Sequence, residues 1–172
     1  MGSELLKGKK ILAVDDEPDV LDVLDEEFSR YGAELDRAAS YGEGIRKLSF
    51  HTYDLVILAI MRVRGFELLE FARTRDMPVV MLTAHALNPE SLKKSIELGA
   101  GAYIPKDQLG QIAPFLVNVL ALSYQSAWKA LFSLLDRSFG KRFGWEWRTS
   151  ESEFWDKFEK SLIEDESAIT RP

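Results

Sequence analysis

Between residues 9 and 106 the chain alternates short, wholly apolar runs with stretches in which apolar residues recur every three or four positions. The runs are Ile11-Leu12-Ala13-Val14, Leu55-Val56-Ile57-Leu58-Ala59-Ile60, Val79-Val80-Met81-Leu82 and the shorter Ala102-Tyr103-Ile104. A weaker candidate lies at Ala33 to Ala38. Such runs predict strands covered on both faces, as a parallel sheet requires. The intervening stretches carry helix signals. Pro18 is pre-set for a first helical position, Val20, Leu21, Leu24 and Phe28 follow at helical spacing, and Gly32 stops the run. Ser40 with Glu43 forms a capping box before Ile45 and Leu48. Asn88-Pro89-Glu90 opens a helix carrying Leu92 and Ile96, which Gly99 ends. Strand and helix in alternation predict a doubly wound α/β sheet.

Beyond about Asp107 the pattern changes. All four Trp (Trp128, Trp145, Trp147 and Trp155) lie here, with no strand-like run. Trp128, Leu131, Phe132, Leu135 and Phe139 share one helix face. A Gly-punctuated turn over 140–147 follows. Ser150 and Glu153 then make a second capping box, ahead of Phe154, Trp155, Phe158 and Leu162. This predicts a helical hairpin with an aromatic seam over 123–164, and a polar, frayed tail over 165–172. A two-helix hairpin has little interior of its own, so the seam must dock. A bundle with a second copy of the chain is the favoured expectation; folding back onto the α/β half is the alternative.

Composition narrows the function. With 172 residues and 46% hydrophobic side chains the chain can bury a core. A formal charge of −6 argues against a general nucleic-acid binder. The basic cluster of Arg137, Lys141, Arg142 and Arg148 sits in a segment (107–172) with more acids than bases, and no helix-turn-helix pattern accompanies it. The absence of Cys removes disulfides, thiol nucleophiles and thiolate metal sites. His51 reads as a solvated helix-end residue and His85 as a loop residue. No apolar run approaches the ~20 residues that span a bilayer, and the start has no signal-peptide core, so a cytoplasmic protein is expected.

In an open α/β sheet, ligands bind outside the carboxyl ends of the strands. Those ends carry Asp15-Asp16-Glu17, Ala59 with Met61, Thr83, and Pro105-Lys106. Paired carboxylates suit a hard Mg²⁺ ion, and a hydroxyl and an ammonium suit phosphoryl oxygens. Each feature alone is ordinary; their joint placement at four strand ends is not.

These stretches resemble the receiver domain of two-component response regulators over about residues 8–122. The likeness rests on 11–18, on Tyr53-Asp54-Leu55-Val56-Ile57-Leu58, on Pro78-Val79-Val80-Met81-Leu82-Thr83-Ala84, and on Leu98-Gly99-Ala100 through Tyr103-Ile104-Pro105-Lys106. The resemblance implies a flavodoxin-like five-stranded parallel sheet of order 2-1-3-4-5. It implies Mg²⁺ held by Asp15, Asp16 and the Met61 backbone carbonyl. Thr83 would be the switch hydroxyl, Tyr103 the switch aromatic and Lys106 the phosphoryl-contacting lysine.

The departure is at Ala59, which stands where the family places its phosphate-accepting Asp. A methyl group cannot attack phosphorus, so the nucleophile and one metal ligand are missing and Mg²⁺ binding should be weakened. The chain has no catalytic residue under this reading. Because Asp15, Asp16, Thr83 and Lys106 are intact, an engineered or recent loss of Asp is the first expectation; a natural pseudo-receiver is the other. The loop Met61-Arg62-Val63-Arg64-Gly65-Phe66 is also shortened and carries two Arg. Lys106 is followed by Asp107, read as a helix N-cap.

The expected parent function is acceptance of a phosphoryl group from a histidine kinase or phosphotransfer protein. Output would pass through the face of the fourth helix, fifth strand and following helix. The expected interface is Trp128, Leu131, Phe132, Leu135, Phe139, Phe154, Trp155 and Phe158, with homodimerisation and without nucleic acid or membrane. A phosphorylation-independent adaptor is the alternative. An Mg²⁺-dependent phosphatase with Asp15 as nucleophile is remote, because the usual Asp-x-Asp spacing is absent.

Overall fold

The computed structural model describes residues 5–83, 89–106, 109, 128 and 152–167. Strands β1 (Lys10–Val14), β2 (Glu34–Ala38), β3 (Leu55–Ala59), β4 (Val79–Thr83) and β5 (Ala102–Pro105) alternate with helices α1 (Pro18–Arg30), α2 (Tyr41–Phe50), α3 (Gly65–Thr74) and α4 (Pro89–Glu97). Helix α5 (Ser152–Ser167) lies in the C-terminal segment. The strands form one parallel sheet in the order β2-β1-β3-β4-β5.

Every residue of β3 and β4 is buried, which is why their sequences are continuously apolar rather than alternating. β2 is an edge strand, and its weaker signal has the same cause in reverse: Glu34 and Arg37 face solvent. Asp36, also on β2, accepts hydrogen bonds from the Tyr53 hydroxyl at 2.6 Å and Lys47 Nζ at 2.8 Å. These polar contacts blunt an edge that could otherwise recruit another strand.

Helix starts follow the expected chemistry with local variations. Pro18 opens α1, but the Glu17 side chain makes no cap; instead Asp15 Oδ1 accepts the Glu17 N–H at 3.0 Å. At α2, Ser40 Oγ accepts the Glu43 N–H at 3.2 Å. Glu43 Oε1 reaches back to the Ala39 N–H at 2.6 Å, one residue before the cap. Gly32 takes φ +77°, the left-handed conformation that ends α1. His51 is an exposed C-cap, as expected.

The C-terminal aromatic residues in the described set pack onto the α/β half. Trp128 is buried, and its indole N–H donates to the Ala100 carbonyl at 2.9 Å. Trp155 and Phe158 are buried with it, Phe158 meeting Trp128 edge-on at 5.8 Å between centroids. The Lys93 ammonium on α4 lies 5.1 Å from the Phe154 ring centre. Trp128, Trp155 and Phe158 were expected at an intermolecular seam; here one chain encloses them. Leu131, Phe132, Leu135, Phe139 and the turn over 140–147 lie outside the described residues. A second difference concerns the boundary at 164. Helix α5 continues to Ser167, because neither Gly nor Pro interrupts the sequence there and Glu is a good helix former.

Ser40→Ala removes the hydroxyl that accepts the Glu43 N–H at the start of α2. It should lower stability by about 1 kcal/mol, read as a reduced urea midpoint at unchanged slope.

Candidate functional site

Because all five strands run the same way, their carboxyl ends open on one edge of the sheet, and the loops there hold the residues singled out from the sequence. Asp15 directly follows β1 and is fully buried. Its Oδ2 lies 2.8 Å from Lys106 Nζ, which follows β5. That ammonium is the charge facing this enclosed oxygen. Lys106 also contacts Glu17 Oε1 at 2.5 Å. One ammonium thus bridges two carboxylates across the centre of the sheet end.

The electrostatics follow from burial and this bridge. Burial pushes the Asp15 carboxyl up, against the opposing pull of Lys106 and the Glu17 N–H. Burial also works against the Lys106 ammonium, yet Asp15 and Glu17 outweigh it and hold its pKa above the ordinary lysine range. The more exposed Glu17 carboxyl is held below its usual range by Lys106.

Ala59, at the end of β3, is buried and pairs in register with Leu82, the neighbour of Thr83. Thr83 ends β4, is buried, and stands in register with Pro105, next to Lys106. The Asp15, Ala59, Thr83 and Lys106 positions therefore converge as the sequence implied. Tyr103 does not join them. It is buried within β5, and its hydroxyl meets Ser91 Oγ on α4 at 2.7 Å. His85 and Asp107 lie outside the described residues.

The loop joining β3 to α3 differs most from expectation. Arg62 and Arg64 both take left-handed backbone conformations, at φ 68° and 55°, each costing about 1–2 kcal/mol for a residue with a Cβ. A Cβ at Gly65 would overlap the Ala59 carbonyl oxygen, so only Gly allows this return of the chain. The Met61 carbonyl accepts the Val63 N–H at 2.7 Å, while Met61 itself is 68% exposed. Arg62 Nη1 sits 3.2 Å from Asp16 Oδ2. Arg64 pairs bidentately with Glu67 and lies 4.1 Å over the Tyr41 ring.

Three contacts were not foreseen from the sequence: Glu17 as a second carboxylate on Lys106, Arg62 on Asp16, and Ser91 on Tyr103. The first had a visible signal, an acid next to the acidic pair; the second depends on left-handed backbone in a loop far away in sequence. The third depends on α4 packing over β5 and left no trace in spacing.

The implied Mg²⁺ site does not fit these residues. Mg²⁺ takes oxygen ligands in octahedral geometry and keeps several waters. Here the Asp15 Oδ2 atom is enclosed against an ammonium, Asp16 faces a guanidinium, and the third carboxylate position is a methyl group. Among the described residues no three acidic or histidine side chains are grouped to hold a metal.

Comparison with known proteins agrees with the fold. The family model for the response regulator receiver domain matches residues 11–113. The alkaline phosphatase synthesis transcriptional regulatory protein PhoP of Bacillus subtilis is 33% identical over 104 residues, 57% of this chain and 42% of PhoP. Regulator of RpoS from Escherichia coli is 36% identical over 97 residues, 55% of this chain and 29% of that protein. The chain thus spans less than half the length of these curated relatives. A crystal structure of a CheY-like response regulator receiver domain protein from Methanospirillum hungatei superposes with TM-score 0.56 at 32% identity, covering 66% of this chain and 97% of that one.

Lys106→Met should leave the Asp15 charge buried without a cation and cost about 3 kcal/mol near neutral pH. The gap to the unmutated chain should narrow as pH falls. In the variant, protonating Asp15 relieves the buried charge; in the parent, Glu17's contribution, present above its unfolded pKa, is lost as pH drops through its depressed folded value. Urea titrations at neutral and mildly acidic pH measure this, and Asp15→Asn added to Lys106→Met should recover part of the loss.

Proposed function

The chain belongs to the response regulator receiver family, and from that premise we propose that it is a two-component signalling module that works by protein–protein association and takes no phosphoryl group at the end of β3. The observation that carries this reading is Ala59, a methyl group at the one strand end where the family's nucleophile stands, among residues that otherwise keep the receiver arrangement. In a parent form with both Asp at position 59 and the family's usual β3–α3 loop, a carboxylate oxygen would attack the phosphorus of a phosphohistidine on a histidine kinase or phosphotransfer protein, and the imidazole would leave. Lys106 and Thr83 stand at the neighbouring strand ends, the one cationic and the other a hydroxyl. The Ala59 methyl group has no lone pair to offer, so no phosphoryl group is accepted there and the reading is of a binding module. Asp15, enclosed and paired with Lys106, is poorly placed for the phosphatase chemistry considered from sequence.

The intact partner residues support an engineered or recent loss of Asp. The β3–α3 loop supports the other origin, a natural pseudo-receiver: one amino-acid change at position 59 does not account for a short loop with two left-handed arginines, one of them on Asp16. We take the second origin as the better reading. Incubation with phosphoramidate followed by intact mass tests it. Neither this chain nor Ala59→Asp should gain a phosphoryl group. Rapid phosphorylation of Ala59→Asp alone would instead point to recent or engineered loss.

The output surface is the α4–β5 face with the C-terminal segment docked on it through Trp128, Phe154, Trp155 and Phe158. Homodimerisation through this segment has to use surface other than Trp128 and Trp155, because a single chain already buries both. No helix among the described residues is long and apolar enough to cross a membrane. Trp155→Ala should undock α5, at a cost of about 3–5 kcal/mol to the packed state, and change the association state in sedimentation velocity. An unchanged sedimentation profile with α5 demonstrably released by proteolysis would separate the segment from association.

A further inference from the structure

We infer that the acidic end of this sheet is balanced within the chain, with Arg62 on Asp16 and the loss of a carboxylate at Ala59 standing in for the divalent cation of a receiver of the usual pattern, so that the chain holds its conformation without Mg²⁺. Three carboxylates meet there, Asp15, Asp16 and Glu17, and each lies against a cation of the chain. Relative to the family pattern, Asp replaced by Ala59 removes one negative charge, and Arg62 against Asp16 adds one positive. The two changes together shift the pocket by two charges, the charge of the ion they would displace.

Geometry points the same way. The loop that brings Arg62 to Asp16 is fixed by backbone rather than by a flexible side chain alone. Arg62 and Arg64 both sit at positive φ, and Gly65 packs so closely on the Ala59 carbonyl that no other residue fits. The Met61 carbonyl, which the family resemblance assigned to the metal, is turned into a three-residue hydrogen-bonded turn with Val63 at 2.7 Å. On the other side, Lys106 closes Asp15 Oδ2 off from solvent. An ion approaching from water meets a guanidinium first, because the Arg62 side chain is 75% exposed and lies over Asp16. A cation in the ligand positions that the resemblance implies would have to displace an arginine or a lysine and gain only the Asp15 and Asp16 carboxylates.

The inference is independent of what the C-terminal segment binds, and failure of Ala59→Asp to be phosphorylated leaves it standing. Its test uses the full chain, with Mn²⁺ and Mg²⁺ as the probes. Water-proton relaxation should show no saturable Mn²⁺ enhancement for the unmodified chain, and the melting temperature should be the same in EDTA and in millimolar MgCl₂. Arg62→Gln should lower the melting temperature in EDTA, and MgCl₂ should restore part of the loss, since a ligand binding only the folded state raises its stability. Arg62→Gln combined with Ala59→Asp should bind Mn²⁺ at least tenfold more tightly than the unmodified chain. Saturable Mn²⁺ binding by the unmodified chain, or equal Mn²⁺ affinity for it and the double variant, would overturn the inference. The relaxation measurement on the unmodified chain decides the point even if a variant does not fold.

Discussion

Three carboxylates at one end of a parallel sheet are tolerable only if cations reach them, and the bridge from Lys106 to Asp15 and Glu17 is the contact that makes this possible. Charges in a partly dry environment interact far more strongly than in water, so the bridge has leverage that a surface pair lacks. It also ties the first strand to the last in sequence, across β3 and β4. The apolar sheet can hold such a cluster because β3 and β4 are fully buried beneath it.

β5 connects this cluster to the rest of the molecule. Lys106 follows its end, Tyr103 lies within it, and Ala100 precedes it. Tyr103 reaches α4 through Ser91, and Ala100 receives the Trp128 indole. A displacement of β5 along its own axis would thus be felt at the charged pocket, at α4 and at the docked C-terminal segment together. Four residues of strand, with their neighbours on either side, couple what would otherwise be separate surfaces.

The fold was largely legible in the sequence because its signals were redundant: apolar runs, Pro18, the Ser40–Glu43 box and Gly32 each pointed to the same alternation. β2 read weakly because an edge strand has one side free for Glu34 and Arg37. At the site, Asp15, Thr83 and Lys106 were legible from strand ends alone, since a parallel sheet leaves them no other place to be. The role of Arg62 was not, because its reach to Asp16 depends on left-handed backbone at two arginines, a conformation that their side chains disfavour. The docking of Trp128 was equally hidden. Helical spacing identifies an apolar face but not the surface that covers it.

The placement of the indole rings has a practical consequence. Every tryptophan lies at or beyond position 128, and at least two, Trp128 and Trp155, are enclosed where the C-terminal segment meets the sheet. The strands and helices before it contribute no indole emission at all. Excited on the red edge, where tyrosine does not absorb, the unlabelled protein therefore emits from the indoles of the C-terminal segment, and a red shift registers their release.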